Sequence, residues 1–514
     1  ELRNIKMAAS FGVHVGATSM CIAVARDGKV DVVANDSGDR VTPACVAFTD
    51  HDLSIGLAAK QGLIRNASNT VCNNKLLLGK KLDDQEVEMV SNMGHAKIIE
   101  KDDSIAVEVQ YKEKKSTFSP VQISKMLNQK MREIADSHGG AGESHDMVLT
   151  VPLEYTEEQQ NLARQAATEA GFTVMRVVSE PAAAILAYDI GQASIHDYSR
   201  VLVYRLGGMS AEATVVDVNA GMFRVLATES SLQYRGHDIT DLLVNHFASE
   251  FKRQWKQDCL DNKRSKAKLR NAAENCKHVL STMSSCQTSV DSLFDGIDFQ
   301  CTLSRARFEG LCGPYILRAL EPINRVLQKA KSTHNDVNKV IVCGGSGRIP
   351  YLQQQLQELF PQAEVLSSIP PDEVIATGAA KEAAILCGRE QAELEKYEKL
   401  TEVPCLSADI VIQTQKGEDL SEQVIYHQFT PVPIKCSNKY QLLPNETSLL
   451  LNIGWRTGKQ DFASFGKICM RELPAGSDVS VLYHIKSDGC LHAVCTSSST
   501  GKVAEITVGI SGLG

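Results

Sequence analysis

The sequence predicts an α/β protein of two similar lobes, followed by a smaller β-sandwich. Three observations predict this: a repeated group of three short strands, helical segments that follow each copy, and alternating apolar and polar residues from about residue 406 onward. The chain has 514 residues, which is too long for one hydrophobic core. We therefore expect several globular units.

The first copy of the repeat begins near residue 11 and the second about 190 residues later. The first predicted strands are Phe11–Val15, Cys21–Ala25 and Val30–Val33. The matching strands of the second copy are Val201–Tyr204, Ala213–Val218 and Phe223–Leu226. Each copy is typical of a β-meander with tight glycine turns. Two such units predict facing lobes with a ligand cleft between them.

Helices are predicted between the strands where apolar residues recur at helical spacing. The predicted helices are Thr156–Gly171, Pro181–Tyr188, Asn245–Thr282 with a break at residues 258–262, and Pro371–Gly388. Glycine follows the last turn of two of them, as is usual at helix C-termini. Asp372 and Glu373 in a first turn favour a helix start there.

The pattern changes near residue 390. Residues 391–405 are charged and predict a linker, and 406–514 alternate like strands with turns such as Ser487-Asp488-Gly489 between them. This region predicts a β-sandwich. Residues 1–10 are interpreted as an N-terminal extension ahead of the first lobe at 11–390, with Met7 as the expected natural start.

Composition argues against several classes of function. The net charge is −8 and the isoelectric point about 6.0, so no field for nucleic acid is expected. Fifteen cysteines at irregular spacing, without a Cys-x-x-Cys pair, predict neither a zinc site nor a disulfide framework. No apolar stretch is long enough to span a bilayer. We expect a reducing compartment and no metal, direct nucleic-acid or membrane contact.

Three glycine segments could carry chemistry. Gly16-Ala17-Thr18 and Gly207-Gly208-Met209-Ser210 occupy matching turns of the repeat, where successive backbone amides can cradle phosphate. A third segment, Val340–Pro350, is a buried strand ending in paired glycines that let a ligand approach the backbone. Ordinary hairpin and strand-to-helix turns remain the alternative for all three.

These segments, with others in order, resemble one family. Val148–Pro152, Ser179–Ala184, Asn245–Phe247, Glu250–Arg253 and the segment from Asp291 to Glu309 resemble the heat shock protein 70 family, and Cys343–Pro350 resembles its adenosine motif. The resemblance runs from Phe11 to about Ile510. It implies an actin-like (ribonuclease H-like) ATPase-type nucleotide-binding domain and a truncated peptide-binding-like β-sandwich.

The resemblance also implies a set of nucleotide-binding residues. They are Gly16, Ala17, Thr18, Lys75, Gly207, Gly208, Ser210, Gly236, Glu274, Lys277, Ser281, Gly344, Gly345, Ser346, Arg348 and Asp372. Lys75 matches the lysine that positions the attacking water, and Glu180 the glutamate near the metal. His278 stands at the motif's usual second basic position. For Lys75 the alternative is a solvated helical lysine.

Departures from the family pattern carry more information than the matches. The family has aspartates at the positions of His14 and Arg205, a threonine at Ala17, and an aspartate at Glu212. Phosphoryl transfer needs Mg²⁺ and the nucleophile placed in line, so we expect no active catalytic residues. One hypothesis is an empty, decayed site. The other is bound ATP whose charge Arg205, with a protonated His14, offsets, so that Mg²⁺ becomes dispensable.

Two further departures concern the C-terminal part. The sequence ends where the family's helical lid would begin, and Lys399–Pro404 is a poorly apolar linker with a proline. These features resemble an atypical branch, similar in role to the fungal Ssz protein, that pairs with a Zuotin-type J-domain protein as the ribosome-associated complex. The resemblance implies a cytosolic regulatory chaperone subunit. It would reach the ribosome through that partner and stimulate an ordinary heat shock protein 70 during translation.

Other functions remain open from the residues. An active ATP-driven foldase predicts Mg²⁺-dependent turnover stimulated by a J-domain and by peptide. A sugar kinase on the same scaffold needs a carboxylate base and leaves the β-sandwich unexplained. An actin-like filament protein leaves the same region unexplained.

Overall fold

A computed structural model describes most of the chain: residues 9–102, 104–139, 145–192, 198–219, 221–388, 405–416, 419–444, 446–456, 462–486 and 489–509. Most of the predicted extension, the linker up to residue 404, and turn residues 487 and 488 lie outside this part. Two compact units are present. The first comprises residues 1–188, 200–216 and 225–390, and the second 189–199, 217–224 and 391–514.

Among the residues that the structure describes, the first lobe of the first unit contains twelve strands and five α-helices. The strands are β1 Ser10–Val15, β2 Ser19–Arg26, β3 Lys29–Val32, β4 Thr42–Pro43, β5 Cys45–Phe48, β6 Leu53–Ile55, β7 Thr70–Cys72, β8 Lys97–Lys101, β9 Ser104–Tyr111, β10 Lys114–Phe118, β11 Asp146–Val151 and β12 Thr173–Ser179. The helices are α1 Leu57–Gly62, α2 Gln85–Ser91, α3 Pro120–Gly139, α4 Glu157–Glu169 and α5 Glu180–Ala187. Because Ser10 already lies in β1, the predicted extension overlaps the fold by at least this residue.

The main sheet of this lobe has the order β12–β11–β1–β2–β3, with β4 paired to β2. Strand β1 pairs in parallel with β11 and antiparallel with β2. Two smaller sheets, β6–β5–β7 and β10–β9–β8, complete the lobe. Its core includes the fully buried Phe11, Ile22 and Phe48. The meander predicted from the first copy of the repeat is confirmed.

The second lobe repeats this plan. Its strands are β13 Tyr198–Leu206, β14 Ala211–Asn219, β15 Met222–Ser231, β16 Ser285–Phe294, β17 Ile297–Ser304, β18 Lys339–Cys343 and β19 Glu364–Leu366. Its helices are α6 Gly236–Trp255, α7 Lys263–Thr282, α8 Arg305–Ala319, α9 Glu321–Lys329, α10 Pro350–Leu359 and α11 Val374–Cys387. The sheet order is β15–β14–β13–β18–β19, so the second meander is confirmed as well.

The predicted helix break after α6 is confirmed, whereas the predicted start of this helix is wrong. Lys256 ends α6 in a left-handed conformation with φ 60°, and the side chain of Asn262 caps α7. Helix α6 starts at Gly236 rather than Asn245. Its first amides bond to the carbonyls of Gly207 and Gly208, a long-range contact that periodicity cannot show.

Helix α11 lies against the first lobe although it comes late in the chain. A Cβ on Gly12 of β1 would lie 2.1 Å from the amide nitrogen of Ala380. A Cβ on Gly378 would lie 1.7 Å from the carbonyl oxygen of Ala183 in α5. Glycine at these two positions therefore allows backbone-to-backbone packing of α11 on β1 and on α5.

The second unit contains the predicted β-sandwich. Its strands are β20 Asp409–Lys416, β21 Asp419–Tyr426, β22 Ile434–Gln441, β23 Leu449–Arg456, β24 Ala463–Met470, β25 Asp478–Ile485, β26 Cys490–Ser497 and β27 Val503–Gly509. They form two antiparallel sheets, β21–β20–β23–β24 and β22–β25–β26–β27. Their apolar faces meet in a core that includes Leu451 and Tyr483.

Within the described ranges, no helix is both long and apolar enough to cross a bilayer. The same residues contain no group of three or more histidine, cysteine, aspartate or glutamate side chains arranged to hold a metal ion. All fifteen cysteines are free thiols.

Candidate nucleotide site

The two predicted phosphate loops, residues 16–18 and 207–210, are the tight turns that join the first two strands of each meander. In the first loop the amide of Gly16 donates to the carbonyl of Ser19 at 2.8 Å, and in the second the amide of Gly207 donates to Ser210 at 2.9 Å. The central N–H groups of both turns make no backbone hydrogen bond among the described residues. Such amides are suited to bind phosphate oxygens.

The loops lie against each other and against the start of α6. A Cβ on Gly208 would lie 2.4 Å from the Cγ2 atom of Thr18, so the second loop touches the first. The amide of Gly236 donates to the carbonyl of Gly207 at 2.8 Å. A side chain at Gly236 would also collide with Ser346, because its Cβ would lie 2.3 Å from the Ser346 Oγ. Four of the predicted segments therefore meet here.

The predicted adenosine residues of α7 form a hydrogen-bonded group. Lys277 Nζ donates to the Gly236 carbonyl at 3.1 Å, to the Thr240 hydroxyl at 2.9 Å and to Glu274 Oε2 at 2.8 Å. Glu274 also contacts His278 at 3.1 Å. Burial alone would raise the pKa of Glu274, but Lys277 and His278 outweigh it and hold this pKa well below its usual range.

The remaining adenosine segment follows β18. Gly344 has φ 83°, and its amide donates to the Pro371 carbonyl at 2.8 Å. Arg348 pairs with Asp372 at 2.6 Å. Space around Gly345 is open, since a Cβ there would meet no atom within 4 Å. Ser281, by contrast, donates its hydroxyl to the Lys277 carbonyl of its own helix at 2.9 Å.

A buried charge cluster lies beneath the phosphate loops. Lys75 and His14 approach one carboxylate oxygen of Glu180, and Arg205 Nε lies 3.2 Å from the other. Arg205 also forms a close ion pair with Glu212 and donates to the Ser210 hydroxyl at 3.0 Å. The Glu180 side chain is only 2% exposed. Its cationic neighbours must therefore offset its charge in place of water.

The pKa directions agree with this arrangement. Burial opposes the charged form of Glu180, but Lys75 and Arg205 outweigh it and keep the pKa of this carboxyl below its usual range. For Arg205, burial is outweighed by Glu212 and Glu180, which raise the pKa of the guanidinium. Burial, aided by Arg205, lowers the pKa of Lys75 despite its pairing with Glu180. The solvated-lysine alternative for Lys75 is wrong.

His14 is neutral in the protein alone. Burial first, and then Lys75, lower its pKa to about 3. The Thr150 hydroxyl donates its proton to the Val13 carbonyl at 3.2 Å, so it accepts from His14 Nδ1 at 3.0 Å. The proton of the neutral ring is thus on Nδ1. The unprotonated Nε2 lies 3.3 Å from where a Cβ on Gly16 would be, beside the first loop.

Arg205 has the position in the second lobe that is equivalent to the position of His14 in the first. Arg205 Nη1 lies 2.8 Å from where a Cβ on Gly207 would be. His14 and Arg205 thus lie under the first and second phosphate loops respectively. The hypothesis that these two side chains offset phosphate charge stays a prediction, and the lowered pKa of His14 means that a bound anion would have to favour its protonated form.

These residues fit a nucleotide better than they fit Mg²⁺. Free loop amides and a guanidinium beneath them are typical partners of phosphate. A divalent ion prefers carboxylate and water oxygens, yet Glu180 and Glu212 are both paired with cations. One buried oxygen, Glu180 Oε2, makes no hydrogen bond, and Arg205 is its nearest recorded charge. That environment is unsuited to a cation.

Sequence reasoning missed three residues that support the site. Thr150 orients His14, Thr240 joins Lys277 to Glu274, and Tyr155 donates its hydroxyl to the Lys75 carbonyl at 2.7 Å. Thr150 lies within the segment Val148–Pro152 and Tyr155 follows it closely, which was the available signal. Thr240 gave no signal, because its partners Glu274 and Lys277 lie more than thirty residues away. Glu212 was noted as a departure from the family, but its pairing with Arg205 was not predicted.

Comparison with known proteins gives one consistent result. The family model described as "Hsp70 protein" matches residues 10–512. The chain is 41% identical to "Heat shock 70 kDa protein 14" of Bos taurus, over 98% of this chain and 100% of the relative. It is 42% identical to the protein of that name from Danio rerio, over 97% and 98%, and 40% identical to the one from Homo sapiens, over 98% and 100%. This chain therefore belongs to the Hsp70 family, whose fold implies nucleotide binding in general.

Proposed function

We propose that this chain binds ATP with little or no hydrolysis and is the regulatory subunit of a ribosome-associated complex. The observation that carries the first part is the position of Arg205. It lies under the second phosphate loop and is paired with both Glu180 and Glu212. A permanently charged guanidinium in this place binds phosphate and disfavours a metal ion.

Loss of hydrolysis follows from the chemistry of phosphoryl transfer. Most of the catalytic effect comes from positioned charge around the γ-phosphate and its metal ions. The family has aspartates where this chain has His14 and Arg205, and removal of one such group commonly costs about 10²–10³-fold in rate. Glu180 is also occupied by Lys75 and Arg205, so it is not available to hold the water shell of a metal.

The same substitutions favour bound ATP without Mg²⁺. Neutral histidine in place of aspartate removes one negative charge, and arginine in place of aspartate reverses one. These changes supply in side chains the kind of charge that a divalent ion supplies elsewhere in the family. The intact adenosine group around Lys277, Glu274 and Arg348 argues against an empty, decayed site.

The proposed partner is a Zuotin-type J-domain protein, which would bring this chain to the ribosome. Support comes from the similarity, at 40–42% identity, to proteins named "Heat shock 70 kDa protein 14". In this proposal the pair stimulates an ordinary heat shock protein 70 on nascent chains in the cytosol. The proposed nucleotide-binding domain spans 11–390, the linker 391–405 and the β-sandwich 406–514. The proposed function involves no direct contact of this chain with nucleic acid or a membrane.

An active ATP-driven foldase is the second candidate function. The observation that favours it is a cavity of about 540 Å³ in the second unit, lined by apolar residues such as Tyr440 and Leu443 and by polar ones such as Gln423 and Lys439. A cavity of this size with a mixed lining accepts a side chain of a peptide. This candidate requires Mg²⁺-dependent turnover that rises when peptide and a J-domain are added.

Turnover under single-turnover conditions separates the two. Purified chain is mixed with a trace of labelled ATP, with and without Mg²⁺, a J-domain protein and peptide, and product is followed for hours. The proposal predicts bound ATP and no product above the protein-free rate in every mixture. Product that depends on Mg²⁺ and is stimulated by the J-domain would establish the foldase instead.

The partner is tested by co-purification of the full chain with a Zuotin-type J-domain protein. A stable stoichiometric complex is expected with the parent chain. A chain lacking residues 400–514 should lose it, because the linker and sandwich offer the surface expected for docking. Full affinity in the truncated chain would contradict that placement of the interface.

A further inference from the structure

Two cysteines face each other in the small sheet β6–β5–β7 of the first lobe. Cys45 in β5 and Cys72 in β7 are direct partners in the antiparallel register. Their Sγ atoms lie 3.0 Å apart. Apolar side-chain contacts in proteins are commonly about 4.0–4.5 Å between heavy atoms, so these sulfurs are unusually close for two free thiols.

The strand geometry allows a covalent bond between them. Directly opposed residues of an antiparallel pair have Cα atoms about 4.5–5.5 Å apart. A disulfide needs a Cα separation of about 4.4–6.8 Å, and both Cβ vectors must point to the same side of the sheet. Cys45 and Cys72 meet both conditions, since opposed residues in a ladder share a face. Bond formation therefore requires a movement of about 1 Å between the sulfurs and no change of register.

The surroundings give the two thiols different roles. Both lie in a small apolar cluster with Ala47 and Ala59, and each is 7% exposed. The hydrogen bond with Cys72, followed by the charge of Lys60, lowers the pKa of Cys45, while the same bond raises the pKa of Cys72. The thiolate is the reactive form of cysteine, so the direction of these two shifts favours Cys45 as the nucleophile of the pair.

We propose that Cys45 and Cys72 form a dithiol that reacts with hydrogen peroxide and closes to an intrachain disulfide. The Cys45 thiolate attacks one peroxide oxygen, the O–O bond breaks, and hydroxide leaves and takes a proton to become water. The resulting Cys45 sulfenic acid is attacked by the sulfur of Cys72. The S–S bond forms as the S–O bond breaks, and a second water carries off the Cys72 proton.

The disulfide is coupled to the nucleotide site through a short segment. Lys75, which pairs with Glu180, follows Cys72 by three residues. Between them, Asn73 is left-handed with φ 59°, and the Asn74 side chain donates to the Pro120 carbonyl at 2.9 Å and to Ser124 Oγ at 2.8 Å. The segment has little freedom to absorb a shift of Cys72. Closure of the bond therefore disturbs the Lys75–Glu180 pair and weakens ATP binding, a consequence that rests on the proposed function.

The bond itself is tested without reference to nucleotide. Full-length protein with the exposed thiols removed, Cys387→Ser/Cys469→Ser, is treated with dilute hydrogen peroxide and digested without reduction. Mass spectrometry is expected to find the peptides of Cys45 and Cys72 joined, lighter by two hydrogens, and separable by dithiothreitol. Persistence of both free thiols while other buried cysteines oxidise, or linkage of Cys45 to a different cysteine, would overturn the proposal.

A Cys72→Ser variant in the same background identifies the roles of the two thiols. It should form no internal bond and should leave Cys45 as a sulfenic acid that dimedone traps. The matching variant is Cys45→Ser. If dimedone labels Cys72 in this variant but does not label Cys45 in Cys72→Ser, the assigned roles are reversed and the proposal is contradicted. Circular dichroism of both variants confirms that they are folded.

The coupling has its own readout. The ATP affinity of the oxidised protein is expected to fall at least about threefold and to return on reduction. Peroxide should leave the ATP affinity of the Cys72→Ser protein unchanged, because this variant cannot form the bond. An oxidised protein that contains the bond but binds ATP unchanged would overturn the coupling. A protein that forms the bond but binds no ATP in either state would instead show that the proposed function fails.

Discussion

Arg205 Nε lies 3.2 Å from Glu180 Oε2, inside the cluster that lies beneath both phosphate loops. Lys75 pairs with the other oxygen of the same carboxylate. Glu180 thus has a cation at each oxygen. The resemblance places this glutamate near the metal in the family, and here both of its oxygens face cations.

Arg205→Ala is expected to weaken Mg²⁺-free ATP binding by at least about tenfold, because it removes a charge-assisted contact to phosphate. The variant should also lose about 1–3 kcal/mol of stability, since the buried Glu180 keeps only Lys75 and the partly exposed Glu212 loses its ion pair. Calorimetry in the presence of a chelator and urea denaturation measure the two effects.

The matched control is Arg253→Ala, which removes an ion pair with Glu250 from a side chain that is 72% exposed. It should change neither the ATP affinity measured without Mg²⁺ nor the stability to urea. Arg205→Lys keeps the charge but not the planar fork and should lie between parent and alanine. A folded Arg205→Ala protein with parental affinity would show that Arg205 does not bind phosphate.

Restoration of the family's carboxylates should restore metal dependence. The double variant His14→Asp/Arg205→Asp offers oxygen ligands beside Glu180, which then loses one of its cations. ATP binding should become dependent on Mg²⁺, and turnover should rise at least about tenfold above the protein-free rate. Comparison of binding and hydrolysis with Mg²⁺ and with chelator checks this. Metal-independent binding in the double variant would count against the proposed role of the two positions.

His14 should make the protein less stable as the pH falls below neutrality. Its pKa is about 3 when folded and near 6.5 in the unfolded chain, so only the unfolded chain takes up the proton between these values. The stabilising effect is full above pH 6.5 and is lost as the pH falls toward 3. At pH 5.5 the loss is about 1–2 kcal/mol. Urea denaturation at pH 7.5 and 5.5 measures it.

His14→Asn is the comparison for that measurement, because asparagine does not titrate and can still donate to Thr150. The difference in unfolding free energy between the two pH values should shrink by about 1 kcal/mol in the variant. His237 also has a pKa of about 3, through burial and then Arg270, so a part of the pH effect should remain. An equal difference in parent and variant would exclude His14 as its source.

ATP binding is expected to take up protons near neutral pH. His14 Nε2 carries a lone pair beside the first loop, where a phosphate oxygen would repel it unless the ring gains a proton. Calorimetry in buffers of different ionisation enthalpy gives the number of protons bound. Uptake should disappear in His14→Asn, and equal uptake by both proteins would mean that another group is responsible.

The two repeated meanders were predictable because short apolar strands and glycine turns are local signals. The start of α6 was not, since Gly236 and His237 use their amides on carbonyls of the second phosphate loop. Glycines at 12 and 378 gave no sequence signal for the packing of α11, because only the approach of a distant backbone explains them. Local patterns thus located the elements but not all their boundaries.

Several residues that the resemblance implied lie together in the structure, whereas their electrostatic state was not predictable from the sequence. The second loop contacts Gly236, Lys277 donates to the Gly236 carbonyl, and Arg348 pairs with Asp372. The low pKa of His14 depends on burial and then on Lys75, and the raised pKa of Arg205 depends on Glu212 and Glu180. Such electrostatic features arise only after folding brings distant residues together, so they could not be derived from the order of residues.

The most direct test of this account is titration of the purified chain with ATP by calorimetry, once with Mg²⁺ and once with a chelator. We predict binding in both, with affinities within about threefold of each other, because Arg205 rather than a metal ion offsets the phosphate charge. Binding only in the presence of Mg²⁺ would contradict the central claim that this side chain takes the place of the ion.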